Sequence, residues 1–273
     1  MIINAIEQIL YARLFGNSAE KAAHNAFNLG DKNKKHLRNM SRRWTAKIAV
    51  FGLHDQHFII FARFFCKPMI LKLYPTNPNP RYVKMILECL ADGGTIIFPT
   101  DTLYGLGGCI NNPRTFERIC QIKGIKKEKA NFSFIFHDLS MLSEFTKPIN
   151  NDVFKMMKRN LPGPFTFILE ANNNIPRIFQ SKKKTIGIRI PDQPIIMNIV
   201  REFGAPIMTT SLADEEDEIN PYLTDPEEIH DRYKDLVDIV IDGGAGENEE
   251  STVVDCTDNE IVIIRQGKGL LDE

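Results

Sequence analysis

Apolar positions alternate between strand and helical spacing from residue 69 onward. Residues 69–74 have the apolar character of a strand, and apolar side chains between residues 83 and 90 then recur at helical spacing. Asn79 and Pro80 are residue types that begin helices, and Gly93 is one that ends them. The pattern therefore predicts a strand followed by an amphipathic helix at the start of this region.

The same patterns predict further elements along the chain. Strands are expected at residues 95–98, 132–136, 165–169, 185–190, 206–209, 237–241, 252–255 and 261–265, and helices at residues 112–123, 151–159, 194–203 and from Asp225 onward. Residues 99–108 are interpreted as a loop. Strands that alternate with helices favour an α/β fold with a mixed sheet.

Charge divides the chain into two unlike parts. The total of 34 basic and 35 acidic residues is nearly balanced, but residues 1–68 hold 11 basic and 4 acidic residues, whereas residues 69–273 hold 23 and 31. We interpret residues 1–68 as a basic N-terminal extension, poorly ordered or of unknown role. Its most basic run, residues 32–43, is either a nucleic-acid or membrane handle or a solvated arm. Residues 69–273 fit the size of a single domain.

Composition and motifs exclude several classes of protein. The chain is 43% hydrophobic and 25% charged, which rules out fibrous and wholly disordered classes. Its five scattered cysteines form no C-x-x-C pair, so neither a disulfide framework nor a zinc site is expected. The most apolar stretch, residues 48–66, is interrupted by charged residues and is too short to span a membrane. We expect a soluble cytoplasmic protein without a metal site.

Within residues 69–273, basic side chains concentrate in the middle. Residues 114–189 carry 15 basic and 6 acidic residues, and residues 190–273 carry 5 and 22. Lys126, Lys127, Lys182, Lys183 and Lys184 are candidates to bind a polyanion. They form one basic surface if the fold brings the two segments together, and two solvated loops if it does not.

Two segments contain residues suited to bind a ligand, a small polar one at residues 99–107 and an anionic one at Arg189. Residues 99–107, Pro-Thr-Asp-Thr-Leu-Tyr-Gly-Leu-Gly, combine hydroxyl groups and glycines at a strand end, where open α/β folds bind ligands, although a plain turn has the same composition. Arg189 lies within an apolar strand between Ile188 and Ile190. Its burial requires either an anionic ligand or an internal carboxylate partner.

Seven segments together resemble the YrdC-like family and, more closely, its YciO branch. They are PTDTLYGLG at 99–107, the lysine motif at Lys123, PGPFTFIL at 162–169, TIGIRIP at 185–191, TTSL at 209–212, STVVD at 251–255 and IIRQGKG at 263–269. The resemblance covers almost all of residues 69–273. It implies a twisted mixed α/β sheet with a large central, partly basic cavity that binds double-stranded RNA or tRNA.

The resemblance also implies an activity. Similar enzymes are nucleotidyltransferases that condense L-threonine, bicarbonate and ATP into threonylcarbamoyl-adenylate and pyrophosphate, for threonylcarbamoyladenosine modification of tRNA. Mg²⁺ is expected with the triphosphate, and partner proteins of the tRNA modification pathway are possible. The matching positions for threonine binding are Thr102, Arg189 and Ser251, and those for nucleotide binding are Lys123, Asn131, Thr166, Ser211 and Arg265.

The sequence departs from the synthase pattern at two motifs. Synthases carry K-x-R where this chain has Lys123-Gly124-Ile125, and S-x-N where it has Ser211-Leu212-Ala213. An aliphatic side chain does not replace the bidentate fork of an arginine, although Lys126 or Lys127 can supply a point charge. A YciO-type protein that binds double-stranded RNA or a nucleotide without synthase activity is therefore the alternative function.

Overall fold

The structure is a computed structural model that describes residues 69–127, 130, 132–175, 184–212, 221–257 and 261–272. The predicted basic extension, residues 1–68, lies outside the described residues. Its role and its boundary with the following domain therefore stay predictions.

The described residues form ten strands and five α-helices. The strands are β1 (Met69–Lys72), β2 (Thr95–Phe98), β3 (Gly105–Cys109), β4 (Ser133–Ile135), β5 (Phe165–Glu170), β6 (Thr185–Arg189), β7 (Ile207–Ser211), β8 (Ile239–Asp242), β9 (Thr252–Asp255) and β10 (Val262–Arg265). The helices are α1 (Pro80–Ala91), α2 (Pro113–Ile122), α3 (Asn151–Asn160), α4 (Pro194–Phe203) and α5 (Pro226–Tyr233). Short 3-10 helices cover Leu139–Glu144 and Pro221–Thr224.

Each α-helix begins at a capping residue recognisable in the sequence. The side chains of Asn79, Asn112, Asn150, Gln193 and Asp225 each accept a hydrogen bond from a backbone N–H group of the first helical turn. Four of the five helices also have proline at the first or second position, where no intrahelical N–H bond is lost. The predicted helix starts are confirmed.

The strands form one mixed sheet in the order β1-β8-β2-β3-β7-β4-β6-β5-β9-β10. Four neighbouring pairs are parallel, namely β1–β8, β8–β2, β4–β6 and β5–β9, and the others are antiparallel. The predicted mixed sheet is confirmed.

The interpretation of residues 99–108 as a loop is wrong at its second half, because Gly105–Cys109 is the central strand β3. The three glycines of β3 gave no apolar pattern that would predict a strand, although every position of β3 is buried.

A row of large apolar side chains crosses the sheet and forms the centre of the core. It consists of Met208, Phe134, Ile188, Phe167 and Val254, which are paired laterally across five neighbouring strands. Each of these residues is at most 1% exposed. Apolar residues of α2, α3 and α5 belong to the same core cluster. Because side chains alternate across a strand, the adjacent positions project from the opposite face.

Among the described residues, no helix is long and apolar enough to cross a membrane.

Candidate functional site

The face of the sheet opposite the apolar row carries small and hydroxyl-bearing residues. Gly107 pairs with Thr209, Thr209 with Ser133, and Ser133 with Gly187, so these four form a lateral row on neighbouring strands. We call this face, together with Thr166 and Arg189, the polar face. The side chains of Phe98 and Ile207 lie over Gly107, whereas the neighbours of Gly187 are Ser133 and Thr166, whose hydroxyl groups can bind a polar ligand.

Gly187 keeps the polar face open where strands β4, β5 and β6 meet. A Cβ atom at this position would lie 2.8 Å from the Ser133 Oγ and 3.2 Å from the Thr166 Cγ2. These short distances also show that Ser133 and Thr166 project from the same face as Gly187. A larger residue at position 187 would crowd both hydroxyl-bearing side chains.

Arg189 lies two residues after Gly187 and therefore projects from the same face. Its Nη2 donates to Thr102 Oγ1 at 2.8 Å and to Asp101 Oδ1 at 3.1 Å. The side chains of Arg189 and Asp101 are 11% and 9% exposed. Arg189 therefore has the internal carboxylate partner that was one of the two alternatives, and it also contacts one of the predicted threonine-binding residues.

The loop between β2 and β3, residues 99–104, presents Asp101 and Thr102 to Arg189 through its own hydrogen bonds. The Thr100 hydroxyl donates to the Leu103 carbonyl at 2.7 Å, and it accepts from the Thr102 backbone N–H at 3.1 Å. Asp101 Oδ2 accepts from the backbone N–H of Asp192 at 2.9 Å. The loop is thus bound both to itself and to the residues that follow β6.

The guanidinium of Arg189 retains a buried donor. Its Nε atom is buried and has no hydrogen-bond partner among the described residues. Burial lowers the pKa of Arg189, the Asp101 carboxylate raises it, and the positive charge of Arg265 lowers it. Arginine remains protonated in proteins, so this site holds a cation with an unsatisfied donor, which an anionic ligand would complete.

Ser251, Thr166 and Arg265 form a second cluster on neighbouring strands. The hydroxyl groups of Thr166 and Ser251 lie 2.9 Å apart. The guanidinium of Arg265 donates through Nε and Nη2 to the Ser251 carbonyl at 3.2 and 3.0 Å, and its Nη1 pairs with the Glu250 carboxylate at 2.8 Å. The backbone carbonyl and the carboxylate therefore orient Arg265 before any ligand binds.

The sheet register joins the two clusters. Phe167 pairs with Ile188 in antiparallel strands, which places Thr166 beside Arg189. Val253 pairs with both Thr166 and Arg265, so it lies between them. The two arginines therefore flank Thr166 on the same part of the sheet, and the lowering of the pKa of Arg189 by Arg265 reflects this proximity. Two guanidinium groups beside buried hydroxyls are suited to bind an anion.

Two further predicted nucleotide-binding residues meet at the end of β7. Ser211 is the last residue of β7 and pairs with Gly105. The next residue, Leu212, accepts a hydrogen bond from Lys123 Nζ at 3.1 Å through its carbonyl oxygen. The structure therefore brings Lys123 close to Ser211. The third residue of this predicted set, Asn131, lies outside the described residues.

The two basic segments each precede one of two neighbouring parallel strands. Ser133 of β4 pairs with Gly187 of β6, so both strands begin at the same end of the sheet. Lys126, Lys127 and Lys184 are exposed, and Lys127 pairs with Glu117 at 2.6 Å. Lys182 and Lys183 lie outside the described residues, as does Ala213.

The position of the missing arginine is filled by apolar packing. The half-buried Ile125 packs against the main hydrophobic core, and its backbone N–H donates to the Cys120 carbonyl at 3.0 Å. The side chain at this position therefore serves the core. The neighbouring Lys126 is exposed, and the ammonium of Lys127 is bound to Glu117.

Two residues of the site were missed by sequence reasoning. Asp101 lies inside the recognised PTDT segment, but a carboxylate is not a residue type that indicates an anion-binding site. Lys268 Nζ donates to the Asp101 carbonyl at 3.0 Å from 167 residues along the chain. Nothing in the local sequence indicates so distant a contact. No group of three or more metal-ligating side chains occurs among the described residues.

This chain is similar in sequence and in structure to several known proteins. A model of the family described as "Telomere recombination" (Sua5, YciO, YrdC) matches residues 88–267. The Escherichia coli protein YciO is 39% identical over 198 residues, which is 72% of this chain and 94% of that protein. Its crystal structure superposes with a TM-score of 0.69 at 37% identity, covering 74% of this chain and 97% of YciO.

Longer relatives match over about half of their length. The threonylcarbamoyl-AMP synthase of Bacillus subtilis is 33% identical over 194 residues, which is 70% of this chain and 55% of that enzyme. The crystal structure of Pyrococcus abyssi Sua5 complexed with L-threonine has the same fold, with a TM-score of 0.66 at 24% identity over 73% of this chain and 57% of Sua5. The predicted family and fold are confirmed, while the central cavity stays a prediction.

Proposed function

Because this chain belongs to the Sua5/YciO/YrdC family, we propose that it condenses L-threonine, bicarbonate and ATP into threonylcarbamoyl-AMP, with release of pyrophosphate and water. The product would supply the threonylcarbamoyl group for tRNA modification. The observation that supports the proposal is the proximity of Thr102, Arg189, Thr166, Ser251 and Arg265, which form two adjoining clusters of guanidinium and hydroxyl groups.

The Arg189 end of the site suits the carboxylate of L-threonine. The buried Nε of Arg189 is an unpaired donor, and a carboxylate that accepts from it would remove the cost of leaving that group unsatisfied. The Thr102 oxygen already accepts from Arg189, and its hydroxyl group lies 3.1 Å from that of Thr100. In the proposal, Thr102 also contacts the bound amino acid, and Ser251 contacts it from the β9 side.

The remaining polar residues suit the nucleotide. Lys123, Asn131, Thr166, Ser211 and Arg265 would contact ATP, with Lys123 and Ser211 at one end and Thr166 and Arg265 at the other. Mg²⁺ would accompany the triphosphate and offset part of its negative charge. The protein residues would then hold phosphate, bicarbonate and carboxylate groups close together despite their mutual repulsion.

The chemistry of the proposed reaction depends mainly on position and charge. The threonine amine must form a bond to the bicarbonate carbon while a C–O bond of bicarbonate breaks and water leaves with the amine proton. An oxygen of the resulting carbamate must then attack the α-phosphorus as the bond to pyrophosphate breaks. Groups oriented before the ligand binds contribute most to such a reaction, because no reorganisation is needed during it. Arg265, held by Ser251 and Glu250, and Arg189, held by Asp101, are oriented in this way.

The test is pyrophosphate release by the full chain with ATP, bicarbonate and L-threonine, with threonine omitted in parallel. We expect threonine-dependent pyrophosphate and threonylcarbamoyl-AMP, and loss of both in Arg189→Met. Lys234→Met is the matched control, because Lys234 forms an exposed pair with Asp231 at 3.3 Å on another part of the domain. Absence of product from the native chain would overturn the synthase proposal.

A second candidate function is RNA or nucleotide binding without synthase activity. The packing of Ile125 in the core favours it, because no arginine is present where the synthase pattern has one and Lys127 is bound to Glu117. The exposed side chains of Lys126, Lys127 and Lys184 favour it as well. Double-stranded RNA or tRNA would bind these lysines through its phosphates.

Salt dependence tests this second candidate. Contacts between lysines and phosphates release counterions, so affinity for a tRNA should fall steeply as salt increases. Reversing the charges of Lys126, Lys127 and Lys182–Lys184 should reduce the affinity and the salt dependence together. Reversal at Lys84, an exposed helical residue paired with Glu88, is the control. Affinity unaffected by salt and by these variants would exclude the RNA-binding function.

A further inference from the structure

The C-terminal segment, residues 266–272, is held against the candidate site by hydrogen bonds along its length. The hydroxyl of Thr252 donates to the Gly269 carbonyl at 2.6 Å and accepts from the Gly267 N–H at 3.0 Å. At its far end, Asn160 accepts from the Asp272 N–H at 3.0 Å and donates to its carbonyl at 2.7 Å. The segment is therefore bound to β9 and to the end of α3.

Close packing determines where the segment places Lys268. A Cβ atom at Gly267 would lie 2.3 Å from the Glu250 carbonyl oxygen, so only glycine fits against this backbone. The backbone N–H of Lys268 donates to the same carbonyl oxygen at 2.9 Å. The backbone of Lys268 is consequently restrained beside Ser251, and this fixes the position from which its side chain extends.

The ammonium of Lys268 joins three parts of the site. Its Nζ donates to the Asp101 carbonyl at 3.0 Å and pairs with the Glu247 carboxylate at 3.3 Å. Asp101 belongs to the loop between β2 and β3, Glu247 to the loop before β9, and Lys268 to the C-terminal segment. The side chain of Lys268 is 34% exposed, so the contact lies at the rim of the site.

Asp101 transmits this contact to the anion-binding arginine. Its carbonyl oxygen accepts from Lys268, and its carboxylate accepts from Arg189 and from the backbone N–H of Asp192. A shift of the Asp101 backbone would therefore move the carboxylate that orients the Arg189 guanidinium. It would also move Thr102, the next residue in the loop and the second partner of Arg189.

We propose that Lys268 is a positioning residue of this site, which restrains the loop of residues 99–104 so that Asp101 and Thr102 orient Arg189 for its ligand. The identity of that ligand, L-threonine, rests on the proposed function. The restraint itself does not, because it consists of contacts within the protein, from Lys268 to Asp101 and from Asp101 to Arg189. Lys268 acts through Asp101 and need not touch the substrate.

The experiment compares Lys268→Met, Lys268→Arg and the control Lys234→Met in the full chain. Lys268→Met removes the donors and retains an unbranched stem, whereas Lys268→Arg retains donors. Hydrogen exchange of the amides in residues 99–104 is measured without ligand, and L-threonine binding is measured by calorimetry. Melting temperatures are recorded first, and Lys268→Leu, which also lacks a donor, takes the place of Lys268→Met if the latter does not fold.

We expect faster exchange in residues 99–104 and about a tenfold rise in the Kd for L-threonine in Lys268→Met, with native behaviour in Lys268→Arg and Lys234→Met. Native exchange rates in Lys268→Met would overturn the proposal, as would faster exchange with unchanged threonine affinity. Equal defects in Lys268→Met and Lys268→Arg would also contradict it. If the native chain binds no threonine, the proposed function fails, and the exchange rates alone decide the role of Lys268.

Discussion

Arg189 and Asp101 form a salt bridge of 3.1 Å across 88 residues of sequence, and both side chains are almost fully buried. Taking two charges out of water has a large desolvation cost, which the attraction between them offsets only when both are present. The pair therefore has two separable roles. Asp101 compensates the charge of Arg189, and Arg189 keeps further donors for a ligand.

Removing one or both charges of this pair should separate stability from binding. Arg189→Met should lower the free energy of unfolding by about 3 kcal/mol, because it leaves the Asp101 carboxylate buried without its cation. The double variant Arg189→Met with Asp101→Asn should recover most of this loss and still fail to bind L-threonine. Urea denaturation and calorimetry measure the two properties. A double variant as unstable as the sum of the single variants would contradict this account.

Gly187→Ala should reduce ligand binding more than stability. The added methyl group would crowd the hydroxyl groups of Ser133 and Thr166 on the polar face, while the extended backbone of β6 accepts alanine. We expect a loss of stability of at most about 1–3 kcal/mol and at least about a tenfold increase in Kd for the nucleotide.

A second substitution tests whether this effect comes from crowding. Thr166→Ser retains the hydroxyl and removes the methyl group that would lie 3.2 Å from the new Cβ atom. Adding it to Gly187→Ala should restore part of the affinity. If the double variant binds no better than Gly187→Ala, the space above Gly187 is not what the ligand requires.

Tyr104 should make the protein sensitive to alkaline pH. Burial raises the pKa of its hydroxyl to about 12 from the ordinary value of 10.0. The folded state therefore holds this proton more tightly than the unfolded state. The resulting stability is fully present below pH 10 and is lost as the pH rises through 12.

Tyr104→Phe isolates this contribution. The Tyr104 hydroxyl donates to the Gly244 carbonyl at 2.7 Å, so the variant should be about 1 kcal/mol less stable at neutral pH. Its stability should then fall less steeply than that of the native protein between pH 10 and 12. Denaturation profiles across this range provide the measurement, with Tyr82→Phe as the control. Parallel profiles for all three proteins would be evidence against a role for Tyr104.

The edge strand β10 should determine the tendency of the domain to associate. Its residues are apolar up to Arg265 and exposed at every position, and Ile264 is 56% exposed. Exposed apolar strands at sheet edges promote association between chains. Ile264→Lys should therefore reduce light scattering on heating and change the free energy of unfolding by less than about 0.5 kcal/mol. Ile188→Lys, in the core row, should prevent folding, and unchanged scattering in Ile264→Lys would contradict the prediction.

Periodicity and capping residues were sufficient to locate most elements of the fold. Asn79, Asn112 and Asp225 each precede a proline, and the local hydrogen bonds of a helix start depend on those neighbouring residues alone. Strand β3 was missed because Gly105, Gly107 and Gly108 have no side chains to form an apolar pattern. Its strand conformation depends on pairing with β2 and β7, whose residues lie elsewhere in the sequence.

The candidate site was only partly accessible to sequence reasoning. The resemblance selected Thr102, Arg189, Ser251, Thr166 and Arg265, and the structure places these residues in two adjoining clusters. The resemblance did not identify the partner of Arg189, because the sequence left an internal carboxylate and an anionic ligand as equal alternatives.

What the sequence by itself determined is the family, the mixed α/β architecture and the residues proposed to contact the ligand. Only the tertiary structure decided that Asp101 neutralises Arg189, that Ile125 packs into the core and that Lys268 contacts the loop that carries Thr102. The physical reason is the separation in sequence of the residues that interact. Helix caps and strand alternation are set by neighbouring residues, whereas the burial and the partner of a charge depend on segments that become neighbours only when the sheet forms.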